Sequence, residues 1–402
     1  MIANLKTPTI PITEIEQSAF CRTDDDLAAK SLDEEFSAGV RWQKLPVEYM
    51  RMKPDELDDR ITSARARLGD RAIILGHHYQ RDEIIKFADL RGDSFKLSQY
   101  AASQRSCRYI VFCGVHFMAE TASILSGDHQ HVVLPNLTAG CSMADMAHID
   151  DVMDCWDDLD YLYEESGGIV PITYMNSTAA IKALCGRNGG IVCTSSNAAA
   201  TYRWALERRR RVLFLPDQHL GRNTRVKMGI RPDEMLVWDP FKRMGGHSEE
   251  ELTNARVILW QGHCSVHTRF TVGQIEDARS KHPDITVVVH PECTMEVVEA
   301  ADCNGSTEYI KRTIDEAPAG SKWAVGTEIS LVNRIAAENP DKLVICLDKV
   351  VCPCSTMYRI HPAYLSWVLD GLNEGVVVNE ISVPDAIAAE ATLALNRMLT
   401  VV

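Results

Sequence analysis

Three loops far apart in the chain each present a cysteine among small and polar residues. They are Ala139-Gly140-Cys141-Ser142-Met143, Gly262-His263-Cys264-Ser265-Val266-His267 and Cys352-Pro353-Cys354-Ser355-Thr356-Met357. Three thiolates leave a metal site one protein ligand short. A structural zinc site is closed by four ligands, whereas three cysteines suit an iron-sulfur cubane with one iron left open, and such an iron can act as a Lewis acid. Groups that handle protons recur where apolar runs end. Gly76-His77-His78-Tyr79 follows RAIIL, Tyr174-Met175-Asn176-Ser177 follows GIVPIT, and His290-Pro291-Glu292-Cys293 follows ITVVV. A neutral imidazole beside a phenol can pass protons near neutral pH. His78 points to the opposite face of an extended segment from His77 and reads as structural.

Such groups need elements that deliver them to a common edge. The apolar runs RAIIL, RYIVF, HVVL, GIVPIT, GIVCT, RVLFL, RVILW, ITVVV, KWAV and KLVIC alternate with helical patterns, which is the signature of parallel βα units. In such sheets ligands sit beyond the carboxyl ends of the strands. The strand ends also repeat in kind. Each third of the chain opens on a His or Tyr/Asn cluster and passes through a Ser/Thr motif: Asp93-Ser94, Thr194-Ser195-Ser196-Asn197 or Ser306-Thr307. A third polar loop comes next (Gly114-Val115-His116, Pro216-Asp217-Gln218-His219 or Gly326-Thr327-Glu328), and each third closes on one of the cysteine loops. The pattern predicts an α/β fold of three αβα sandwich domains with short parallel sheets around a pseudo-threefold axis, each domain offering one cysteine to a shared centre. Residues 61–165 would supply Cys141, residues 166–282 Cys264, and residues 283–402, with C-terminal helices, Cys354. Residues 1–60, with acidic clusters at Asp24 to Asp26 and Asp33 to Glu35, read as an extension with some helix.

Composition removes several function classes. The 402 residues suit two to four domains, and 46% hydrophobic with 24% charged residues excludes global disorder. A net charge of -14 weighs against nucleic acid, whose phosphates need a basic face. The basic run Arg208 to Arg211 reads as a solvated helix end. No stretch approaches the roughly 18 apolar residues of a membrane span, and the first twenty residues do not form a secretion signal, so a cytoplasmic location is expected. Thirteen cysteines in a reducing compartment are not a disulfide framework. Cys21, Cys107, Cys155, Cys185 and Cys303 read as small buried apolar residues, as do Cys113 and Cys193 within apolar runs.

The motifs GHHYQ, GDSFKLS, GVHFMAETA, PNLTAGCSMAD, TYMNSTAAIKA, CTSSNA, LFLPDQHLGRN, WQGHCSVH, HPEC, GSTEYI, GTEISLVNR and CSTM, in this order from about residue 71 to 365, resemble the quinolinate synthase family. The resemblance implies three homologous αβα domains with a 4Fe-4S cluster at their junction. It also implies condensation of iminoaspartate with dihydroxyacetone phosphate to quinolinate, with loss of phosphate and two waters, on the route to NAD. The cluster ligands carried over are Cys141, Cys264 and Cys354. The third stands three residues before Met357, with Cys352 and Cys346 nearby as alternatives. Some relatives have a CxxC pair here that can oxidise, where this chain has CxC.

By the same resemblance His77, Tyr79 and Ser94 touch substrate, Tyr174 and Asn176 are substrate contacts, and Ser195 binds a carboxylate or phosphate. His267, three residues after Cys264, is close enough to face substrate. His290 lies beside Glu292, the best candidate for the base that moves a proton on the ketose phosphate through an enediolate. Ser306, Thr307 and Thr327 resemble the family's hydroxyl cradle, which matters because a chain this acidic must bind anionic substrates through local donors. Lys182 and Arg222 lie near these motifs and read equally as surface. The expected partners are the two substrates and an enzyme that oxidises or dehydrogenates aspartate, without nucleic acid or membrane. The rival reading is an iron-sulfur sensor of oxygen or iron. It does not need polar groups at so many strand ends, and the chain shows no helix-turn-helix or other output domain. A zinc hydrolase on the His and Cys loops is a third reading.

Overall fold

The computed structural model describes residues 16–17, 19–21, 30–36, 40–163 and 168–401. The acidic cluster Asp24 to Asp26 lies outside the described residues. The fold is α/β, with three short, mostly parallel sheets. Its strands are β1 (Ala72–His77), β2 (Leu90–Gly92), β3 (Tyr109–Cys113), β4 (His131–Val133), β5 (Ile169–Tyr174), β6 (Ile191–Cys193), β7 (Arg211–Leu215), β8 (Met235–Trp238), β9 (Val257–Trp260), β10 (Thr286–Val289), β11 (Cys303–Asn304), β12 (Lys322–Gly326), β13 (Leu343–Cys346) and β14 (Glu380–Ile381). The sheet orders are β14-β4-β3-β1-β2, β6-β5-β7-β9-β8 and β11-β10-β12-β13. Among the described residues every pairing is parallel except β14 with β4.

All ten apolar runs form strands. β1, β3, β5, β7 and β9 are almost continuously buried, as sheets covered on both faces require. β2, β11 and β14, which carry no run, are two or three residues long and stand at sheet edges, as does β8, whose Met235-Leu236-Val237-Trp238 is an apolar stretch outside the ten.

Parallel pairing in register brings the carboxyl ends of the strands to one edge of each sheet. Gly76 pairs with Cys113, Tyr174 with Cys193, and Val289 with Gly326, so the loops after them start side by side. Helices then begin within a few residues. Asp93, Thr178, Asp217 and Ser306 cap four of them by accepting the N–H of Lys96, Ile181, Leu220 and Tyr309.

Packing divides the chain into two compact units. The first comprises 1–142, 328–331 and 350–382, and the second 143–327, 332–349 and 383–402. The first unit contains the sheet of β1 to β4 and β14, with the helix Pro362–Asn373 on the helix Pro54–Leu68. The second contains the other two sheets. There the C-terminal helix Asp385–Thr400 packs on the helix Ala179–Arg187. The two approach so closely that a Cβ at Gly186 would lie 1.8 Å from the Glu390 carbonyl oxygen, which only glycine permits.

Two expectations from the sequence are corrected by the fold. Arg208, Arg209 and Arg210 are exposed, but Arg211 opens β7 and is buried over the Tyr163 ring. Its guanidinium donates to the carbonyls of Thr253 (2.7 Å) and Ala255 (3.2 Å), which satisfies a charge that a solvated helix end would have left to water. Cys21 is not an isolated apolar residue, because it forms a disulfide with Cys352 across 331 positions of sequence. Nothing local to Cys21 could have signalled so distant a partner.

Candidate functional site

In the first unit, His77 ends β1 and is buried. Its Nδ1 accepts the Tyr79 N–H at 3.1 Å, and the two rings meet edge to face at 4.8 Å between centroids. Tyr79 is half-buried, as is Ser94 at the start of the helix Ser94–Ser103. The loops carrying Cys141 and Cys354 are joined by hydrogen bonds within this unit. Asn136 donates to the Arg359 carbonyl (2.9 Å), and the Arg359 guanidinium donates to the Thr138 carbonyl (3.2 Å). The buried Gln80 amide donates to the Met357 carbonyl (3.3 Å), which ties the His77 loop to the same segment. Glu328 accepts the Cys354 N–H at 3.2 Å and the Ser330 N–H at 2.8 Å. The Cys354 sulfur lies 3.4 Å from the Thr356 hydroxyl and also receives the N–H groups of Thr356 and Met357.

Two buried ion pairs brace these loops. Arg81 pairs with Glu35 (2.6 Å) and lies over the Tyr358 ring, and Arg359 pairs with Glu16 (3.2 Å). Glu16 and Glu35 come from the N-terminal extension, whose described residues thus reach the segment around Cys354.

In the second unit, His267, His290, Glu292 and Thr327 are all buried, and Tyr174 is buried at the end of β5. His267 Nδ1 is 2.7 Å from Glu292 Oε2, and its Nε2 is 3.2 Å from the Thr327 hydroxyl. His290 stacks on His267 with ring centroids 4.4 Å apart. Ligand atoms of Cys264, His267 and Glu292 lie within 4.8 Å of one another. Burial opposes a charge on Glu292, but the two imidazoles and hydrogen bonds from His267 and the Tyr174 hydroxyl outweigh it and hold the carboxyl below its ordinary range. Burial pushes His290 down to about 3, so this imidazole is neutral at physiological pH. Burial and the neighbouring Glu292 push Asp217 the other way, well above the usual carboxylate range. Two carboxyls in one region are thereby driven apart, one toward the acid form and one toward the base form.

The remaining hydroxyls and amides stand at helix starts. Asn176 and Ser195 are half-buried, each at the end of a strand and just before a helix. The Asn176 side-chain oxygen is buried without a hydrogen-bond partner. The Ser306 hydroxyl accepts the Tyr309 N–H as a helix cap, and Thr307 begins that helix. Open N–H groups at a helix start favour carboxylate or phosphate. Expected site residues thus divide between the units. Cys141, Cys354, His77, Tyr79 and Ser94 lie in the first, and Cys264, Tyr174, Asn176, Ser195, His267, His290, Glu292, Ser306, Thr307 and Thr327 in the second.

A model of the family described as quinolinate synthetase A protein matches residues 59–400. The chain belongs to this family, and it is an enzyme. The chain is 58% identical over 362 residues to the quinolinate synthase of Corynebacterium glutamicum, a match covering 90% of this chain and 92% of the relative. It is 56% identical over 356 residues to that of Herpetosiphon aurantiacus (88% and 95%) and 52% identical over 359 residues to that of a Geobacillus species (89% and 97%). The family model begins after Glu16, Cys21 and Glu35, so these partners from the extension lie outside it.

Several residues that hold the candidate groups carry no distinct signal in the sequence. Glu328 stands there only as part of a polar loop, and Gln80 only as the end of GHHYQ. Lys182, read equally as surface, is completely buried, and its ammonium donates to the Ser177 carbonyl beside Tyr174 and Asn176. The available signal was a lysine on a helix otherwise apolar at neighbouring positions. Among the described residues no helix is long and apolar enough to cross a membrane.

Proposed function

We propose that the chain condenses iminoaspartate with dihydroxyacetone phosphate to quinolinate, releasing phosphate and two waters, with Cys141, Cys264 and Cys354 as ligands of a 4Fe-4S cluster. The donor set fits such a group. All three cysteines are half-buried, and although burial pushes the Cys354 thiol up, donors from Thr356 and Met357 on its sulfur offset part of that, as a sulfur that ligates a metal requires. Cys352 is engaged with Cys21, which supports Cys354 as the third ligand. When bound, the cluster supplies an iron with an open coordination position that acts as a Lewis acid.

The observation that carries the reading is the placement of Glu292 and His267 within 4.8 Å of the Cys264 sulfur, in a buried setting that keeps Glu292 ionised. An ionised, water-shielded carboxylate can take the proton from the hydroxymethyl carbon of a ketose phosphate and return it to the adjacent carbon. His267 and the Tyr174 hydroxyl hold Glu292 before and after that transfer. His77 and Tyr79 are suited to the proton movements of imine formation and dehydration. The donors at the starts of helices Ser94–Ser103, Ala179–Arg187, Ala198–Leu206 and Thr307–Asp315 suit the carboxylates and phosphate of the substrates. Iminoaspartate would come from an enzyme that oxidises or dehydrogenates aspartate, and the product would serve NAD biosynthesis in the cytoplasm.

Anaerobic purification, iron and sulfide analysis and a quinolinate assay on the same sample test this reading. Four irons and four sulfides per chain with quinolinate formed are expected, and a full cluster without quinolinate would favour the sensor. A second reading, a single metal ion on Cys264, His267 and Glu292, is favoured by their proximity alone. Colourless, zinc-containing protein that retains activity would establish it.

A further inference from the structure

The helix Gln218–Lys227 starts where β7 ends, and its first turn sits on the loop that leads to Cys264. Gln218 N–H donates to the Gly262 carbonyl (3.0 Å), and Asp217 caps the helix on the Leu220 N–H (2.7 Å). A Cβ at Gly262 would lie 2.3 Å from the Pro216 carbonyl oxygen, so only glycine allows this approach. Further along the same helix Asn223 is buried, and its side-chain amide donates to two carbonyls, Pro291 at 2.9 Å and Cys293 at 2.8 Å. These carbonyls bracket Glu292.

The backbone N–H groups of the His290 to Cys293 loop are satisfied from within the third sheet. His290 N–H donates to Gly326, Cys293 N–H to His290, and Glu292 N–H to His290 Nδ1. Two carbonyls of the loop reach instead to a helix of the second sheet, the sheet that also carries Tyr174 and Cys264. Asn223 thus ties the Glu292 loop to the sheet that carries those two residues.

We infer that Asn223 is a positioning residue for Glu292, holding the carbonyls of the residues before and after it so that its carboxylate keeps one orientation toward substrate. The inference rests on the proposed role of Glu292 as the base. The Asn223 amide bonds carbonyls of the Glu292 loop, so its proposed role acts through Glu292.

A double-mutant cycle on the anaerobically purified, cluster-loaded protein tests it. Asn223→Leu keeps the volume and removes both donors, and Asn223→Ala removes them without added bulk. Each should keep iron and sulfide per chain and a KM for dihydroxyacetone phosphate within about twofold, while kcat falls by roughly ten- to a hundredfold, the cost of misplacing a catalytic group by a fraction of an ångström to an ångström. Combined with Glu292→Gln, either substitution should lower kcat by less than about a further twofold, because no base remains to be aimed. Full additivity in the double variant overturns the inference, as does wild-type kcat in both single variants. Loss of iron or of folded protein in both also overturns it and makes Asn223 a general structural residue. Wild-type turnover of Glu292→Gln alone overturns the Glu292 reading and this inference together, which separates the two failures.

Discussion

The two units hold their candidate residues in opposite ways. In the first, the loops of His77, Cys141 and Cys354 are tied by side chains with no evident chemistry of their own: Gln80, Asn136, Glu328 and Arg359, with Arg81 and Arg359 anchored on Glu35 and Glu16. In the second, the reactive groups hold one another, with His267 bonded to both Glu292 and Thr327 and stacked on His290. Mutual bonding couples position to protonation, so altering one member changes the chemistry of the rest. Scaffolding separates the two, so altering a brace changes stability and geometry and leaves the charge states alone.

The largest effect should come from the cysteines. Cys141→Ala, Cys264→Ala and Cys354→Ala should each abolish both iron content and quinolinate formation. A full cluster in Cys354→Ala with loss in Cys352→Ala would move the third ligand by two residues.

Next comes the coupled set in the second unit. Glu292→Gln should keep iron and substrate binding while turnover falls roughly 10²- to 10⁴-fold, as expected for loss of a general base. Supplying glyceraldehyde 3-phosphate in place of dihydroxyacetone phosphate should restore part of it. Equal loss with both sugars would place Glu292 in another step.

The braces of the first unit should act on stability instead. Arg81→Met leaves the Glu35 carboxylate buried and unpaired and should cost about 3–5 kcal/mol in urea denaturation. Adding Glu35→Leu should return most of that. If the single change lowers kcat without lowering stability, the contrast between the units fails.

Acid should weaken both units. Burial pushes His290 in the second unit and His361 in the first down to about 3. The His361 ring is satisfied as the neutral tautomer, bonding the Lys30 carbonyl through Nε2 and accepting the Ala363 N–H on Nδ1. The unfolded chain protonates these rings near their ordinary value of about 6.5, while the folded chain does not until about pH 3. Their stabilisation is therefore complete above that ordinary value and is lost as pH falls toward 3. The expected slope is up to about 1.4 kcal/mol per pH unit for each ring. Flat stability between pH 7 and 5 would show that the rings are charged in the folded chain.

The smallest effect is expected for the disulfide. Cys21→Ser should leave iron per chain and anaerobic turnover unchanged, because the candidate ligand is Cys354 and not its neighbour. A loss of iron would mean that the Cys21–Cys352 link helps to shape the ligand loop.

Sequence alone determined the strands and the polar residues at their ends. Buried parallel strands need continuous β-branched and apolar residues, so RYIVF or ITVVV can hardly be anything else, and the polar residues that interrupt each run must emerge at the strand end. The places of His77, Tyr174 and His290 at strand ends were legible for that reason, and Cys141, Cys264 and Cys354 stand out as candidates because each sits in a loop of small and polar residues. The edge strands β2, β11 and β14 were not legible, since two or three residues leave no compositional mark, whereas the edge strands β6 and β13 were.

Only the tertiary structure decided which groups pair. Glu292 could be assigned as a base from its type, but its ionised state depends on His290 close by and on His267 and Tyr174, which lie 25 and 118 positions away in the chain. Arg211 and Lys182 looked like surface because a charged side chain is normally solvated, and only folding supplied the carbonyls of Thr253, Ala255 and Ser177 that let them be buried. Strand formation is a property of a few consecutive residues and is written locally. Hydrogen-bond partnership is a property of distances in space, and the same residue types could have met other partners in another fold.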